Sequence, residues 1–370
     1  MEKVLFIATV ESHILCFHVP FIKYFQDKGY EVHVATKLGA RYKELEDINV
    51  VTHDVSFERS IFSKNNIKAY YQLKKVMKEN KFKLVHTHTP IASFIGRYAA
   101  KVTNTKNVIY TAHGFHFFKG APLKNWLLYY PAERLAARWT DCLITINSED
   151  YEIASNRFKT GRVEYVPGVG IDTEKFNEIV LDKSLKRKEL GIPDDAFLVL
   201  SVGELNKNKN HETIIKAIAK LNNPNVYYII CGQGVLENYL KDLINELGLQ
   251  NNIKLLGYRR DIAEISKVSD MFVFPSFREG LSVALMEAMA LRLPVVCSNI
   301  RGNVDLIKDG KGGYLVEPND VFGFVYNINK IIEDAALKED MGKYNKEVIL
   351  KFDIGNVKKD MEKIYLKLNR

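Results

Sequence analysis

Apolar positions in the first 165 residues fall into short runs separated by stretches of helical period. Val4–Val10, Glu31–Thr36, Leu84–Thr87, Val108–Thr111 and Cys142–Ile146 read as strands. Between them Val19–Lys28, Ile67–Glu79, Ile91–Lys101 and Pro122–Trp139 read as helices. Short strands that are apolar throughout and alternate with helices predict a parallel sheet covered on both faces, a doubly wound α/β arrangement. The rhythm pauses at the Pro/Gly punctuation of Val166–Ile171, a candidate hinge. After a charged helical stretch, Asp182–Leu190, it restarts. Strands are predicted at Leu198–Val202, Val226–Cys231, Ile253–Leu256, Met271–Phe274 and Val295–Cys297. Helices are predicted at His211–Leu221, Val235–Glu246, Ile262–Val268 and Ser282–Ala290.

The pattern therefore predicts two α/β units of similar size, residues 1–168 and 169–352, with no detectable internal repeat. The last stretch, Gly355–Leu368, is amphipathic, and residues 353–370 are expected to pack back on the first unit. Open α/β sheets bind ligands beyond the carboxyl ends of their strands. Two such units facing across a cleft would suit an enzyme that takes one substrate in each.

Composition narrows the class. The chain has 370 residues, 46% of them hydrophobic, which excludes wholesale disorder. No apolar run approaches the ~18 residues a membrane span needs. The segment MEKVLFIATV enters a strand-like run with no cleavable leader, so a cytoplasmic location is expected. Cysteines 16, 142, 231 and 297 fit neither a disulfide framework nor a zinc site and read as reduced core thiols. The charge is lopsided. Lys and Arg number 24 against 16 Asp and Glu up to residue 165, and 29 against 29 beyond it, so the first half carries the whole net charge of +8. Something acidic is expected to meet that half.

No complete dinucleotide fingerprint, Walker A loop, strand-end D-x-D, G-x-S-x-G or H-E-x-x-H is present. The most distinctive segment runs from Phe274 to Ala288. A strand ends at Pro275, a loop carries Glu279 and Gly280, and a helix starting near Ser282 carries Glu287. Gly280 lets backbone approach a ligand, and the first N–H groups of the helix favour a phosphate. From spacing alone, Glu279 reads either as a helix cap or as an acceptor for sugar hydroxyls. Glu287 reads either as an ordinary surface residue or as a ribose ligand.

P-S-x-x-E-G with a second glutamate eight residues on resembles the E-x7-E signature of retaining GT-B glycosyltransferases of family 4. Other segments resemble the same family in order. These are Val202-Gly203 with Lys209, the turn Gly232-Gln-Gly234, His113-Gly114 after a strand, and Ile300–Gly313. The resemblance implies a GT-B fold and a UDP-sugar donor, carrying a hexose or N-acetylhexosamine, and a lipid-linked or glycan acceptor in bacterial surface-polysaccharide synthesis. It implies that Glu279 contacts the transferred sugar and Glu287 the ribose. Lys209 would neutralise the diphosphate, with Gly203, Gly232, Gly234 and the backbone of Gly280, Leu281 and Ser282 around it. His113 would reach the sugar from the other domain, and no metal or other cofactor would be needed.

Two departures stand out. The family's arginine after the first donor-domain strand is Glu204 here, which leaves Lys209, or one of Arg259, Arg260 and Arg301, to carry the charge. Where many relatives have paired glycines after strand one, this chain has Glu11-Ser12-His13, expected to shape the acceptor side. His86 and His88 share a strand face, but a metal there would lack a third ligand near in sequence.

Phe115, Phe117, Phe118 and Trp126–Tyr130, interleaved with Lys119 and Lys124, suit either a membrane interface or a buried helix. With the charge excess, they point to a peripheral place at the inner face of the membrane and to a lipid diphosphate rather than nucleic acid. Two rival readings remain at this level: a GT-B nucleotide-sugar epimerase or hydrolase, and a non-enzymatic two-domain sugar-binding protein.

Overall fold

Every predicted strand forms, and each adds to one of two wholly parallel sheets. In a computed structural model, which describes residues 1–368, the chain divides into Met1–Val169 with Gly355–Arg370 (unit 1) and Gly170–Ile354 (unit 2). The division falls inside the Pro/Gly punctuation at 166–171. Unit 1 contains β1 (Lys3–Val10), β2 (Glu31–Lys37), β3 (Val51–Asp54), β4 (Leu84–His88), β5 (Val108–Ala112), β6 (Cys142–Thr145) and β7 (Arg162–Tyr165). Their order is β3-β2-β1-β4-β5-β6-β7. Unit 2 contains β8 (Phe197–Val202), β9 (Val226–Cys231), β10 (Ile253–Gly257), β11 (Met271–Phe274), β12 (Val295–Ser298) and β13 (Gly313–Val316), in the order β10-β9-β8-β11-β12-β13. Strand order reverses between β1 and β4 and between β8 and β11. Those are the switch points at which doubly wound sheets open a ligand crevice.

Alternation along each strand builds two cores per sheet. Leu5 and Ile7 join Ala35 and Val85 on one face, whereas Val4, Phe6 and Ala8 join Val32 and Val34 on the other. In unit 2, Leu198, Leu200, Phe272 and Phe274 face one side, and Val199, Met271, Val273 and Val296 the other. Helix Ile354–Leu368 places Val357, Met361, Ile364 and Tyr365 in the β1–β2 core of unit 1, with the Tyr365 ring 4.7 Å from Phe25.

Several local expectations are corrected. Glu11-Ser12-His13, placed after strand one without a conformation assigned, forms the first turn of helix Glu11–Phe17, which starts directly at the end of β1. A second helix, Val19–Asp27, follows with Pro20 in its first turn, where proline needs no amide partner. Helix Leu123–Ala136 passes into a 3-10 turn at Ala137–Trp139. Ser282 caps its helix rather than starting it. β3 was not expected because its four residues, Val-Thr-His-Asp, are partly polar and sit at a sheet edge. Cys142, Cys231 and Cys297 are buried thiols, but Cys16 is exposed, since it lies on the outer face of its helix. Among the described residues no helix is long and apolar enough to cross a membrane.

Candidate active site

In unit 2 the predicted donor residues converge at the carboxyl ends of β8, β9, β11 and β12. Lys209 Nζ donates to Glu279 Oε1 at 2.7 Å, and both side chains are mostly shielded from solvent. The ammonium also sits 4.6 Å from the Phe274 ring centroid, so its charge is held over the end of β11. The loop carrying Lys209 is tied to the loop carrying Glu279. Phe277 N donates to Asn208 O at 2.8 Å, Asn208 Nδ2 to Arg278 O at 3.0 Å, and Asn210 Nδ2 to Pro275 O at 3.1 Å. Asn210 adopts a left-handed conformation (φ 55°) to make the bend into helix His211–Leu221.

The glycines are there because backbone packs against backbone. A Cβ at Gly232 would stand 1.8 Å from Gly203 O, and one at Gly234 2.4 Å from Leu205 O. Gly302 (φ +82°) brings the β12 loop onto the Glu279 loop, where a Cβ would stand 2.3 Å from Gly280 O. Arg301, nearly buried, donates from Nε to the Glu279 carbonyl at 3.2 Å. Of the three arginines considered from sequence, it alone joins this loop. Arg259 is spent on Asp261 and Glu189 (2.8 and 2.9 Å), and Arg260 is exposed.

Both glutamates depart from their bland readings. Ser282 Oγ accepts from Leu285 N and caps helix Val283–Ala290, leaving Glu279 to pair with Lys209. Glu287 is half-buried, and that burial raises its carboxyl pKa, with the Lys175 ammonium pulling the other way. Glu204 is exposed.

In unit 1 the ends of β4 and β5 and the helices after β1 gather histidines. His113 Nε2 lies 3.3 Å from His88 Nδ1, the His13 ring packs edge-on at 4.6 Å from His113, and the His18 and His88 rings stack at 3.6 Å. His86, one pleat back, bonds Thr111 Oγ1 (2.8 Å) and the Tyr365 hydroxyl (3.0 Å). Burial holds these imidazoles neutral. It lowers His13 to about 4 and His86 to about 3. His18, His88 and His113 lie well below the usual range, from burial first and then from the charge of neighbouring imidazoles of the cluster and of His86.

Ring nitrogens of His13, His18, His88 and His113 all lie within 4.8 Å of one another, close enough for one ion to reach all four. The expectation that His88 lacks a third ligand is thus corrected. The missing partners come from other elements, brought in because β1 and β5 flank β4.

The loop after His113 is pinned by Asp150, whose Oδ2 accepts from Phe115 N (2.9 Å) and Asn147 Nδ2 (2.9 Å). Sequence reasoning missed this residue. Thr89 at the β4 end has φ 60° and bonds Thr9 N and Oγ1, a strained turn of the kind found at binding sites. Glu11 is buried and accepts from Arg41 N at 3.1 Å, while Ser12 and His13 are half-buried. Of the aromatic segment, Phe115 and Phe117 are core, whereas Leu123 and Leu127 are exposed.

Comparison with known proteins follows the same division. A family model described as glycosyl transferases group 1 matches residues 182–348, and one described as glycosyl transferase 4-like matches residues 3–147. The chain is 35% identical over 370 residues, covering 98% of it and 96% of the relative, to "Putative glycosyltransferase EpsD" of Bacillus subtilis (strain 168). It is 34% identical over 286 residues, 75% of this chain and 74% of the relative, to an Escherichia coli UDP-Gal:alpha-D-GlcNAc-diphosphoundecaprenol alpha-1,3-galactosyltransferase. Among solved structures, Anabaena HepE in complex with UDP superposes with a TM-score of 0.84 over all of both chains, at 20% identity.

Proposed function

The chain belongs to the family 4 glycosyltransferases of the GT-B fold, and from that premise we propose that it moves a hexose or N-acetylhexosamine from a UDP-sugar to a lipid-linked or glycan acceptor of bacterial surface polysaccharide, with retention of configuration. Unit 2 takes the donor and unit 1 the acceptor. The observation that carries the reading is the Lys209–Glu279 pair at 2.7 Å, set against the amino end of helix Val283–Ala290.

With no donor bound, each charge compensates the other. A nucleotide diphosphate would draw Lys209 Nζ to its oxygens, beside the free N–H groups of Gly280, Leu281 and Ser282, and so release Glu279 to accept hydroxyls of the sugar. Glu287 accepts from the ribose, and Arg301 steadies the loop through the Glu279 carbonyl. In the transfer, the bond from the anomeric carbon to the β-phosphate oxygen breaks and a bond to the acceptor oxygen forms on the same face. The departing phosphate takes the acceptor's proton. Fixed cations and backbone dipoles supply the charge stabilisation a metal would otherwise give the diphosphate. In unit 1, a neutral His113 serves as hydrogen-bonding group beside the acceptor, and Ser12 and His13 border the acceptor site. The basic surface holds the protein at the cytoplasmic face of the membrane.

The test is transfer by Glu279→Gln and Lys209→Ala with a panel of UDP-sugars. Each is expected to lose at least ~100-fold in kcat with the melting temperature kept, the scale of losing one charge-stabilising group. Wild-type turnover by either variant, or an inverted anomeric product by NMR, overturns the proposal.

A further inference from the structure

Two cavities of unit 1 adjoin one another and share lining residues. The smaller, about 300 Å³, opens beside the histidine cluster and is bordered by Thr9, His13, Arg59, Thr89 and His116. The larger, about 560 Å³, is walled by Tyr70, Phe94 and Tyr98, with Phe62, Tyr71 and Leu128 at its mouth. Ile61, Pro90, Ile91 and Tyr129 line both, so a ligand lying across these residues would have one end in each. The polar end has an exposed cation, Arg59, and the amino end of helix Pro90–Val102. The Glu133 carboxylate, which also reaches the apolar cavity, is already held by the buried Arg97 guanidinium at 2.8 Å. Phe62, Ile67, Tyr71 and Leu128 are exposed, which is unusual for four large apolar side chains on one patch.

We infer that these two adjoining cavities together bind the lipid end of a prenyl-diphosphate-linked acceptor, with the diphosphate at Arg59 and the isoprenoid chain between Phe94, Tyr98 and Leu128. The inference rests on the transferase reading and adds where the lipid lies. One occupant matches both ends: an anion meets the cationic, dipole-bearing rim, and a branched chain fills the aromatic trough. A flat bilayer contact would need a convex apolar face, whereas here the apolar residues wall a cavity that shares four lining residues with the polar one. The excess of basic residues in the first half of the chain draws the same kind of ligand. Each methylene buried multiplies affinity about fourfold, so chain length is the sensitive variable.

The experiment is equilibrium binding of inorganic diphosphate, farnesyl diphosphate and geranylgeranyl diphosphate to the full chain, with UDP-sugar binding measured alongside. Farnesyl diphosphate is expected to bind at least ~10-fold tighter than inorganic diphosphate, and geranylgeranyl diphosphate tighter still. Tyr71→Glu and Leu128→Glu, both at exposed positions, should remove that gain while leaving inorganic diphosphate and UDP-sugar binding as they were. Arg59→Ala should weaken all three diphosphates. Equal affinity for the three ligands overturns the lipid site and leaves the transferase reading standing. Loss of binding to phosphatidylglycerol vesicles in the two Glu variants, with farnesyl diphosphate still bound, also overturns it and makes the patch a membrane contact. Absence of UDP-sugar binding would sink the transferase reading while prenyl-diphosphate binding reports independently on the lipid site.

Discussion

Mild acid should unfold unit 1 before unit 2. Unit 1 holds eight of the nine histidines; of the five around β4 and β5, His18, His86 and His88 are buried and His13 and His113 half-buried, and all five are shifted towards the neutral form. In the unfolded chain a histidine titrates near 6.5, and in the fold these titrate lower. As pH falls through 6.5 the unfolded state takes up protons first, and stability drops until the folded pKa is reached. For His13, lowered to about 4, and His86, lowered to about 3, the loss between pH 7 and pH 5 is about 2 kcal/mol each. His18, His88 and His113 shift the same way and add to the loss.

From His13 and His86 alone unit 1 therefore loses roughly 4 kcal/mol, a large share of a domain's stability. Unit 2 has only His211, lowered to about 4, and loses about 2 kcal/mol. Calorimetric melts at pH 7, 6 and 5, with thermolysin fragments identified by mass spectrometry, read this directly. The unit 1 transition should move down steeply and cleavage should concentrate before residue 170. A unit 1 transition that stays in place between pH 7 and 5, or a unit 2 that melts first, would refute the argument, because the window lies above the carboxylate range.

Two further expectations follow from the site geometry. Gly232→Ala and Gly302→Ala should each abolish UDP binding or soluble expression, since the added methyl would lie 1.8 and 2.3 Å from a carbonyl oxygen, while Gly248→Ala, whose Cβ position is open although its φ is positive, should cost at most a modest drop in melting temperature. Purified protein should hold far less than one transition-metal ion per chain and keep its activity in EDTA. Stoichiometric zinc, lost in His88→Asn, would assign the four-histidine cluster to a metal and contradict the metal-free reading.

How much of this could be read along the chain varies with the distance over which the determining contacts act. The Phe274–Ala288 segment was legible because strand, glycine loop, capping serine and helix are consecutive, so the anion-favouring helix end is local. That Lys209 meets Glu279, seventy positions away, depends on β8 lying beside β11. Arg301 could only be offered alongside two other arginines, since nothing in the local sequence distinguishes it; the fold of the β12 loop over Gly280 does. Asp150 carried no signal at all, because its task is to hold the backbone of another loop.

The amino-acid order by itself determined two doubly wound α/β units, a break near residue 169 and the glycine-bearing turns at the strand ends. Period and punctuation are properties of neighbouring residues, and burial of both sheet faces requires them. Tertiary structure alone decided which charged and imidazole groups share a site. Parallel strand order is set by the packing of whole helices on the sheet, and only that packing brings β1, β4 and β5 together so that four histidines stand within reach of one another.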